Sequence, residues 1–326
     1  MNILYTFNDK FVPQVAAAIT SVCENNKDID EIHFYLMSLN VSEENEKKLE
    51  EYIGKYNRKT TFIELGDMQE HFDFEINTSG WNPIVLARLL LDKLLPNNLE
   101  RILYLDGDTI VRGSLKELWN TEMGEHTIAA SLEPTYDKDR KASIGMKGYP
   151  YYNAGVLLID LNNWRNQKIG DKIISFYKEH EGRLFSNDQD AINGSQKGNI
   201  LTLSPKYNYY NIYDQYPYSF LNKLCDYDYL DKTVVQDAKK DPVIIHYLGE
   251  ERPWRVGNHH RFRKDYEMYL KMTPWMGMNY EEGWKMYFVC WDIFNTLTKP
   301  FPSLRYKIIN ALIPAFLNYR AKKVKK

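Results

Sequence analysis

The sequence predicts an α/β protein: a Rossmann-like, mostly parallel sheet flanked by helices, with a helical C-terminal extension. Three observations carry this. Short apolar runs alternate with segments of helical periodicity through the first hundred residues, which is the order of β-α-β units. The run Ile102-Leu103-Tyr104-Leu105 is apolar at every position, as a central strand covered on both faces must be. From Trp284 onward, aromatic and aliphatic residues recur at helical spacing with a single acid, Asp292.

Ile3-Leu4-Tyr5 opens as a strand, and Val12 to Val22 follows with apolar residues at helical spacing. Ile32 to Leu39 reads as a second strand, Ser42 as the N-cap of a charged helix reaching Tyr56, and Thr60 to Ile63 as a third strand. Ile84 to Leu95 reads as a largely apolar helix stopped by Pro96, with Arg101 to Leu105 as the next strand. Tyr152 to Leu161 is a small-residue turn feeding another buried strand, and a helix should begin near Asn162. Asn187 to Asn193 reads as the start of a short helix, and Pro242 to His246 as a strand ending in a histidine. The expected division is a main domain over residues 1–280 and an aromatic and basic helical region over 281–326.

Composition sets bounds on function. Cys23, Cys225 and Cys290 stand far apart with no C-x-x-C pair, so neither a disulfide framework nor a structural zinc site is expected. Met1 to Phe7 has no basic region followed by a long apolar stretch, and no uncharged apolar run approaches about 20 residues, so a cytoplasmic protein that does not span a bilayer is expected. The net charge of −2 hides an asymmetry: residues 284–326 hold nine Lys/Arg against one acid, a surplus of +8 that leaves −10 on the residues before them. An acidic body argues against nucleic acid as a partner, because phosphate contacts need a basic face.

Asp106-Gly107-Asp108 closes the central strand run, so two carboxylates stand where α/β sheets gather ligands, beyond a strand's carboxyl end. The glycine allows a sharp turn that can aim both carboxylates at one divalent ion. An acidic surface turn is the alternative. His246 ends a later strand and is followed by Gly249 and Arg252, a pattern suited to metal and phosphate. Asn187-Asp188-Gln189-Asp190 can coordinate, accept protons or bond hydroxyls, or simply supply acids to a helix N-terminus.

Taken together, four stretches resemble the family 8 glycosyltransferases, the retaining bacterial galactosyl- and glucosyltransferases related to glycogenin. They are Leu86-Ala87-Arg88-Leu89 with Ile102 to Asp108, Tyr152 to Asp160, Asp188-Gln189-Asp190, and His246 to Trp254. The resemblance spans Asn2 to about Trp254 and implies a GT-A fold that binds a UDP-sugar donor, with Mn²⁺ as the usual cation and Mg²⁺ as a substitute. It implies that Asp106, Asp108 and His246 hold the metal. Thr6 and Asn8 match nucleoside positions, Asn8 replacing an aspartate common in relatives. Gly249 and Arg252 match the diphosphate end of H-x-x-G-x-x-K-P-W, with arginine in place of lysine, so the charge persists on a planar fork. Gly107 lies between the metal carboxylates, and Arg88, Asn153, Ala154, Asp188 and Gln189 match residues around the donor sugar. Gln189, Asp188, Asp190 and Arg88 are the catalytic candidates. An amide is a poor nucleophile, so same-face attack by the acceptor is expected, with Asp190 in reserve for a covalent route.

The acceptor, a saccharide, glycolipid or glycoprotein, is less legible. Glu133 to Tyr152 is polar and glycine-bearing, suited to a mobile lid or to an ordinary surface loop. The tyrosines from Tyr207 to Tyr218 can stack on sugars or pack in a core. In the tail, Leu304, Ile308, Leu312 and Ala315 form a helical stripe widened by Ile309, Ile313 and Phe316, and Trp284, Tyr287, Phe288, Trp291 and Phe294 form an aromatic one. With its basic end, this region is expected to meet an anionic membrane surface at the inner face of the cell membrane, or else to dock on the body. A sugar nucleotidyltransferase and a catalytically silent sugar-binding scaffold are the alternative functions. Thr6 to Phe11 lacks the glycine-rich basic loop that the first would use, and the second has little need of a metal triad.

Overall fold

The computed structural model describes the backbone of residues 1–324 and the side chains of residues 1–315. Among the described residues, nine strands run in chain order: β1 (Asn2–Asn8), β2 (His33–Leu39), β3 (Lys59–Glu64), β4 (Arg101–Leu105), β5 (Thr109–Val111), β6 (Ile128–Leu132), β7 (Tyr152–Asp160), β8 (Ile200–Leu203) and β9 (Ile244–His246). Seven of them form one sheet in the order β3-β2-β1-β4-β7-β6-β8. The pairs β1/β2, β2/β3, β1/β4 and β6/β8 are parallel, while β7 runs antiparallel to both β4 and β6.

The two faces follow from the period-2 alternation of the central strands. Leu4, Ile102, Tyr104, Leu157 and Ile159 pack into one core, and Ile3, Tyr5, Leu103, Leu105, Val156 and Leu158 into the other. The expected helices over Val12–Asn25 and Glu43–Gly54 cover the sheet, and Ser42 caps the latter by accepting from Asn45 N. Asp160 ends β7 and caps the helix Leu161–Asn166, whose position matches the predicted start near Asn162.

One local expectation is corrected. The apolar segment Ile84 to Leu95 is not one α-helix: a 3₁₀ segment, Pro83–Leu89, is followed by a single turn, Leu91–Leu94. Leu86, Ala87, Leu89, Leu90 and Leu91 are wholly buried, so packing on every side, rather than helix propensity, decides the conformation. The strand ending in His246 does not join the main sheet. It pairs with β5 in a two-stranded antiparallel ribbon, with Thr109 opposite His246.

A third core lies beneath this ribbon. Tyr209, Tyr210, Tyr213 and Tyr216 are buried there with Tyr247, Trp254, Phe262 and Tyr266, so the tyrosine-rich segment packs the body. Helices Lys285–Thr298 and Pro302–Val324 follow. Their inward side is aromatic: Trp284 lies under the Arg255 guanidinium at 3.6 Å, and buried Arg305 contacts the rings of Tyr216, Trp291 and Phe294. Met286, Val289, Ile293 and Leu297 line the exposed side of the first helix, and Leu304 and Leu312 are exposed on the second. Phe316 and the side chains of the basic end lie outside the described residues. No helix among the described residues is long and apolar enough to cross a membrane.

Candidate active site

The direction of β7 assembles the site. Because β7 is antiparallel to β4, its first residues stand beside the last residues of β4, with Leu105 opposite Val156 and Asp106 N donating to Gly155 O at 2.8 Å. Beyond β4 the chain turns through Asp106-Gly107-Asp108 into β5, whose pairing with β9 brings His246 alongside, and Tyr247 N donates to Asp108 O at 2.9 Å. Ligand atoms of Asp106, Asp108 and His246 therefore lie within 4.8 Å of one another. His246 Nε2 stands 3.3 Å from Asp108 Oδ1 and 3.7 Å from Asp106 Oδ2.

Surrounding hydrogen bonds aim these groups. Arg88 Nη2 and the Tyr104 hydroxyl both donate to Asp106 Oδ1, at 2.9 and 2.6 Å, which leaves Oδ2 facing His246. The Nδ1 of His246 donates to Asn208 Oδ1 at 2.9 Å, which holds the ring with Nε2 toward the two carboxylates, where it would ligate a cation that displaces its proton. Asn208 is in turn tied to Asn153 Oδ1 at 2.8 Å, and Asn153 Nδ2 to Glu133 Oε2 at 2.8 Å. Burial disfavours charge on both His246 and Asp108, yet their mutual attraction wins, raising the histidine pKa and lowering that of the aspartate.

Two glycines allow the close approach. A Cβ at Gly155 would stand 2.3 Å from His246 Cε1 and 2.9 Å from Asp106 Oδ2, and one at Gly107 would stand 2.8 Å from Val15 Cγ2. Gly107 thus serves packing onto the first helix, since its φ is not in the left-handed region. The donor set fits a divalent cation: two carboxylates from one turn and an oriented imidazole from a distant strand converge, with hydrogen-bonding partners behind them.

A cleft of about 330 Å³ opens beside this cluster, walled by Arg88, Asp106, Glu133, Asn153, Ala154, Asp188, Gln189 and His246. Arg88 is buried and clamps three partners: Ala154 O at 2.6 Å, Asp106 at 2.9 Å and Asp188 Oδ2 at 3.1 Å. Burial pushes the Asp188 carboxyl up to about 6, Arg88 opposing and the charge of Asp106 adding to the shift. Gln189 Oε1 accepts from Ala154 N at 3.0 Å. Residues 2–257 match the sequence model of the family described as Glycosyl transferase family 8.

The chain belongs to glycosyl transferase family 8. A putative glycosyltransferase of Haemophilus influenzae is 28% identical over 78% of this chain and 73% of its own length. A lipopolysaccharide 1,2-glucosyltransferase of Escherichia coli is 25% identical over 84% of this chain and 79% of its own. Among solved structures, the galactosyltransferase LgtC with donor and acceptor sugar analogs superposes with a TM-score of 0.71 at 24% identity, over 88% of this chain and 99% of that one, and shows the same GT-A fold.

Within this family 8 enzyme, the remaining expected residues fall in different places. Thr6 reaches the cluster through Tyr104, hydroxyl to hydroxyl at 3.0 Å. Asn8 ends β1, and its buried Oδ1 has no hydrogen-bond partner among the described residues. Arg252 Nη2 lies 3.4 Å from Asp108 Oδ2, with its guanidinium near the rings of Phe11 and Trp254. Gly249 sits in the turn between His246 and Arg252, at φ +79°. None of these four, nor Asp108, walls the cleft, whereas Arg88, Asn153, Ala154, Asp188 and Gln189 do.

Asp190 is turned away from the cleft. Its Oδ1 accepts from the Tyr136 and Tyr151 hydroxyls at 2.7 and 2.5 Å, and its Oδ2 from Ser186 N at 2.8 Å. The segment after Glu133 is an ordered wall and not a free surface loop: Lys141 is buried against Asp226, the rings of Tyr136 and Tyr151 stack at 3.8 Å, and Tyr136, Asp137 and Arg140 face the cleft. Sequence reasoning missed Asn208, Tyr104, Glu133 and Gly155 as site residues. Asn208 carries no local signal among tyrosines that pack a core, whereas Gly155 lies within the small-residue turn at the start of β7.

Proposed function

We propose that this enzyme moves a hexose, galactose or glucose, from a UDP-sugar to a hydroxyl of a saccharide, glycolipid or glycoprotein, with retention at the anomeric carbon. One observation carries the reading: the convergence of Asp106, Asp108 and His246 beside the cleft, with Asp106 and His246 in the same wall as Arg88 and Asp188. The names of the relatives, a lipopolysaccharide glucosyltransferase and a galactosyltransferase, support a hexose as the transferred unit and a cell-surface saccharide as acceptor.

The chain's own residues divide the work. Asn8 offers its unpaired buried oxygen to the nucleoside, with Thr6 at the same strand end. Arg252, the cation beside Asp108, takes the diphosphate together with the backbone turn at Gly249. Asp106, Asp108 and His246 hold a divalent cation, Mn²⁺ by its tolerance of mixed oxygen and imidazole donors or Mg²⁺ in its place, which when bound neutralises charge on the departing diphosphate. Arg88 and Asp188 bond the sugar hydroxyls, and Asn153 and Ala154 line its other side. Gln189 is held at Ala154 N and by its Nε2 on the Tyr151 hydroxyl at 3.3 Å, so its amide positions the sugar and does not attack it. Both oxygens of Asp190 are already occupied by hydrogen bonds, which favours same-face attack by the acceptor over a covalent intermediate on that carboxylate.

The test is incubation with a panel of nucleotide-sugars and Mn²⁺. Slow UDP release from a UDP-hexose, abolished by Asp108→Asn, is the expected result; no binding or turnover of any donor would refute the reading. An inverted product by NMR would refute retention, and loss of activity in Asp190→Asn without loss of folding would restore the covalent route.

The proposed location is the cytoplasmic face of the cell membrane. The exposed stripe of Met286, Val289, Ile293 and Leu297, flanked by Lys285 and Lys299, supports peripheral binding to an anionic surface. The full chain should float with anionic vesicles, and Met286→Glu with Ile293→Glu should abolish this. Flotation unchanged by the pair would remove the stripe from that role.

A further inference from the structure

Part of the wall of the cleft is supplied by the C-terminal helix. Asn310 and Ile313, from Pro302–Val324, line the same cleft as Arg88, Asp188 and Gln189. They lie outside residues 2–257, the segment shared with the family model, whereas every residue assigned to donor and metal lies inside it.

The helix is fixed to the cleft by a particular defect. Pro314 has no N–H, so the carbonyl of Asn310, four residues earlier, lacks its helical donor. Arg140 fills that role: Nη2 donates to Asn310 O at 3.2 Å while the guanidinium lies 4.0 Å over the Phe185 ring at the cleft rim. Closer to the start of the helix, buried Arg305 donates to Asn295, and Tyr306 packs edge-on against Phe220 at 6.0 Å. The wall is thus pinned both near its origin and where it meets the cleft. It presents an amide that can both donate and accept beside an apolar side chain, which suits the alternating hydroxyl and C–H faces of a sugar ring.

We propose that the C-terminal helix is the acceptor-selecting wall of this enzyme, with Asn310 bonding an acceptor hydroxyl, Ile313 shaping the apolar contact, and Pro314 and Arg140 positioning both. The proposal rests on the hexosyltransferase reading above. Donor chemistry then belongs to the shared segment, and the choice of acceptor to a segment that relatives can vary independently.

The test uses the full chain with Mn²⁺ and UDP-galactose or UDP-glucose, offered lactose and the methyl α- and β-glycosides of galactose and glucose, with sugar release to water followed in the same reaction. Ile313→Trp narrows the cleft, Ile313→Ala widens it, and Pro314→Ala returns a donor to Asn310 O and releases Arg140. Each is expected to re-rank the acceptors and to shift the ratio of transfer to hydrolysis at least fivefold, with donor KM moving less than twofold. Thermal unfolding identifies any variant that fails to fold. If no sugar in the panel accepts, water is the acceptor, and the wall shows as slower UDP release in Ile313→Trp and faster release in Ile313→Ala. Ratios and rates equal to the unaltered chain in all three variants would overturn the wall alone. Absence of UDP release from every donor by the unaltered chain would overturn the hexosyltransferase reading and the wall with it.

Discussion

Replacing Gly155 by alanine puts one methyl group into the tightest contact of the Asp106–Asp108–His246 cluster. Its carbon would lie 2.3 Å from His246 Cε1, 2.8 Å from Nδ1 and 2.9 Å from Asp106 Oδ2, whereas ordinary contact begins at 3.4 Å. The imidazole or the strand must therefore move by about 1.1 Å, the difference between 3.4 and 2.3 Å. Metal donors tolerate roughly 0.2 Å, so the displacement exceeds the margin about fivefold. It also acts on the atom that bonds Asn208, so the orienting hydrogen bond is lost with the position. Mn²⁺ affinity should fall by at least ~10–100-fold, the cost usual for losing an orienting partner, with UDP release falling alongside. Calorimetric titration with Mn²⁺ measures the first, and a melting curve separates it from unfolding. Gly54→Ala is the control, because a Cβ there meets nothing within 4 Å. A Gly155→Ala chain that binds Mn²⁺ within threefold of the unaltered one would refute the packing argument and the assignment of His246 as a ligand.

Three further outcomes follow from the same geometry. Asn208→Leu removes the acceptor for His246 Nδ1 and should weaken Mn²⁺ binding ~10–100-fold, whereas Asn208→Asp keeps an acceptor and most of the affinity; equal titrations for the two would show that the bond does not orient the ring. Arg88→Met leaves Asp106 and Asp188 uncompensated in a buried site and should cost about 3–5 kcal/mol in urea unfolding without metal, a loss under about 1 kcal/mol being the refuting result. Burial lowers the pKa of His260 to about 4, with Arg261 adding to the shift and Asp214 opposing it, and its Nδ1 accepts from Phe262 N. The folded chain therefore holds fewer protons than the unfolded one between pH 6.5 and about 4. Stability from this residue is complete above pH 6.5 and falls by about 3 kcal/mol as pH drops through that window. Unfolding of His260→Phe compared with the unaltered chain at pH 7 and pH 4.5 should show a smaller pH-dependent loss in the variant; equal losses would refute the assignment.

Much of the frame was legible in the sequence because it rests on local period. The strands over Ile3-Leu4-Tyr5, Ile32 to Leu39 and Arg101 to Leu105 lie within or at the observed β1, β2 and β4, since burial on both faces demands continuous apolarity. The Ser42 cap was equally local, a side-chain oxygen serving an N–H three residues on. The segment from Ile84 to Leu95 was misread because a run that is apolar on all sides carries no period, so tertiary packing chose 3₁₀ geometry over a continuous helix. The tyrosines after Tyr207 were ambiguous for a related reason: an aromatic ring suits a sugar or a core equally well, and only the neighbours decide.

The sequence by itself determined the α/β class, the family, and the residue types that can hold a cation and a nucleotide-sugar, because these depend on burial patterns and on chemistry carried by single side chains. Only the tertiary structure decided which of those residues meet. The reversed direction of β7 sets Asn153, Ala154 and Gly155 beside Asp106, and the β5–β9 ribbon carries His246 to Asp108 across 137 intervening positions. Asn208 behind the histidine, and Asn310 and Ile313 in the cleft wall, likewise come from distant segments. The physical reason is that strand direction and register are chosen by the summed packing of the whole chain, and a local run of residues looks the same whichever way its strand points.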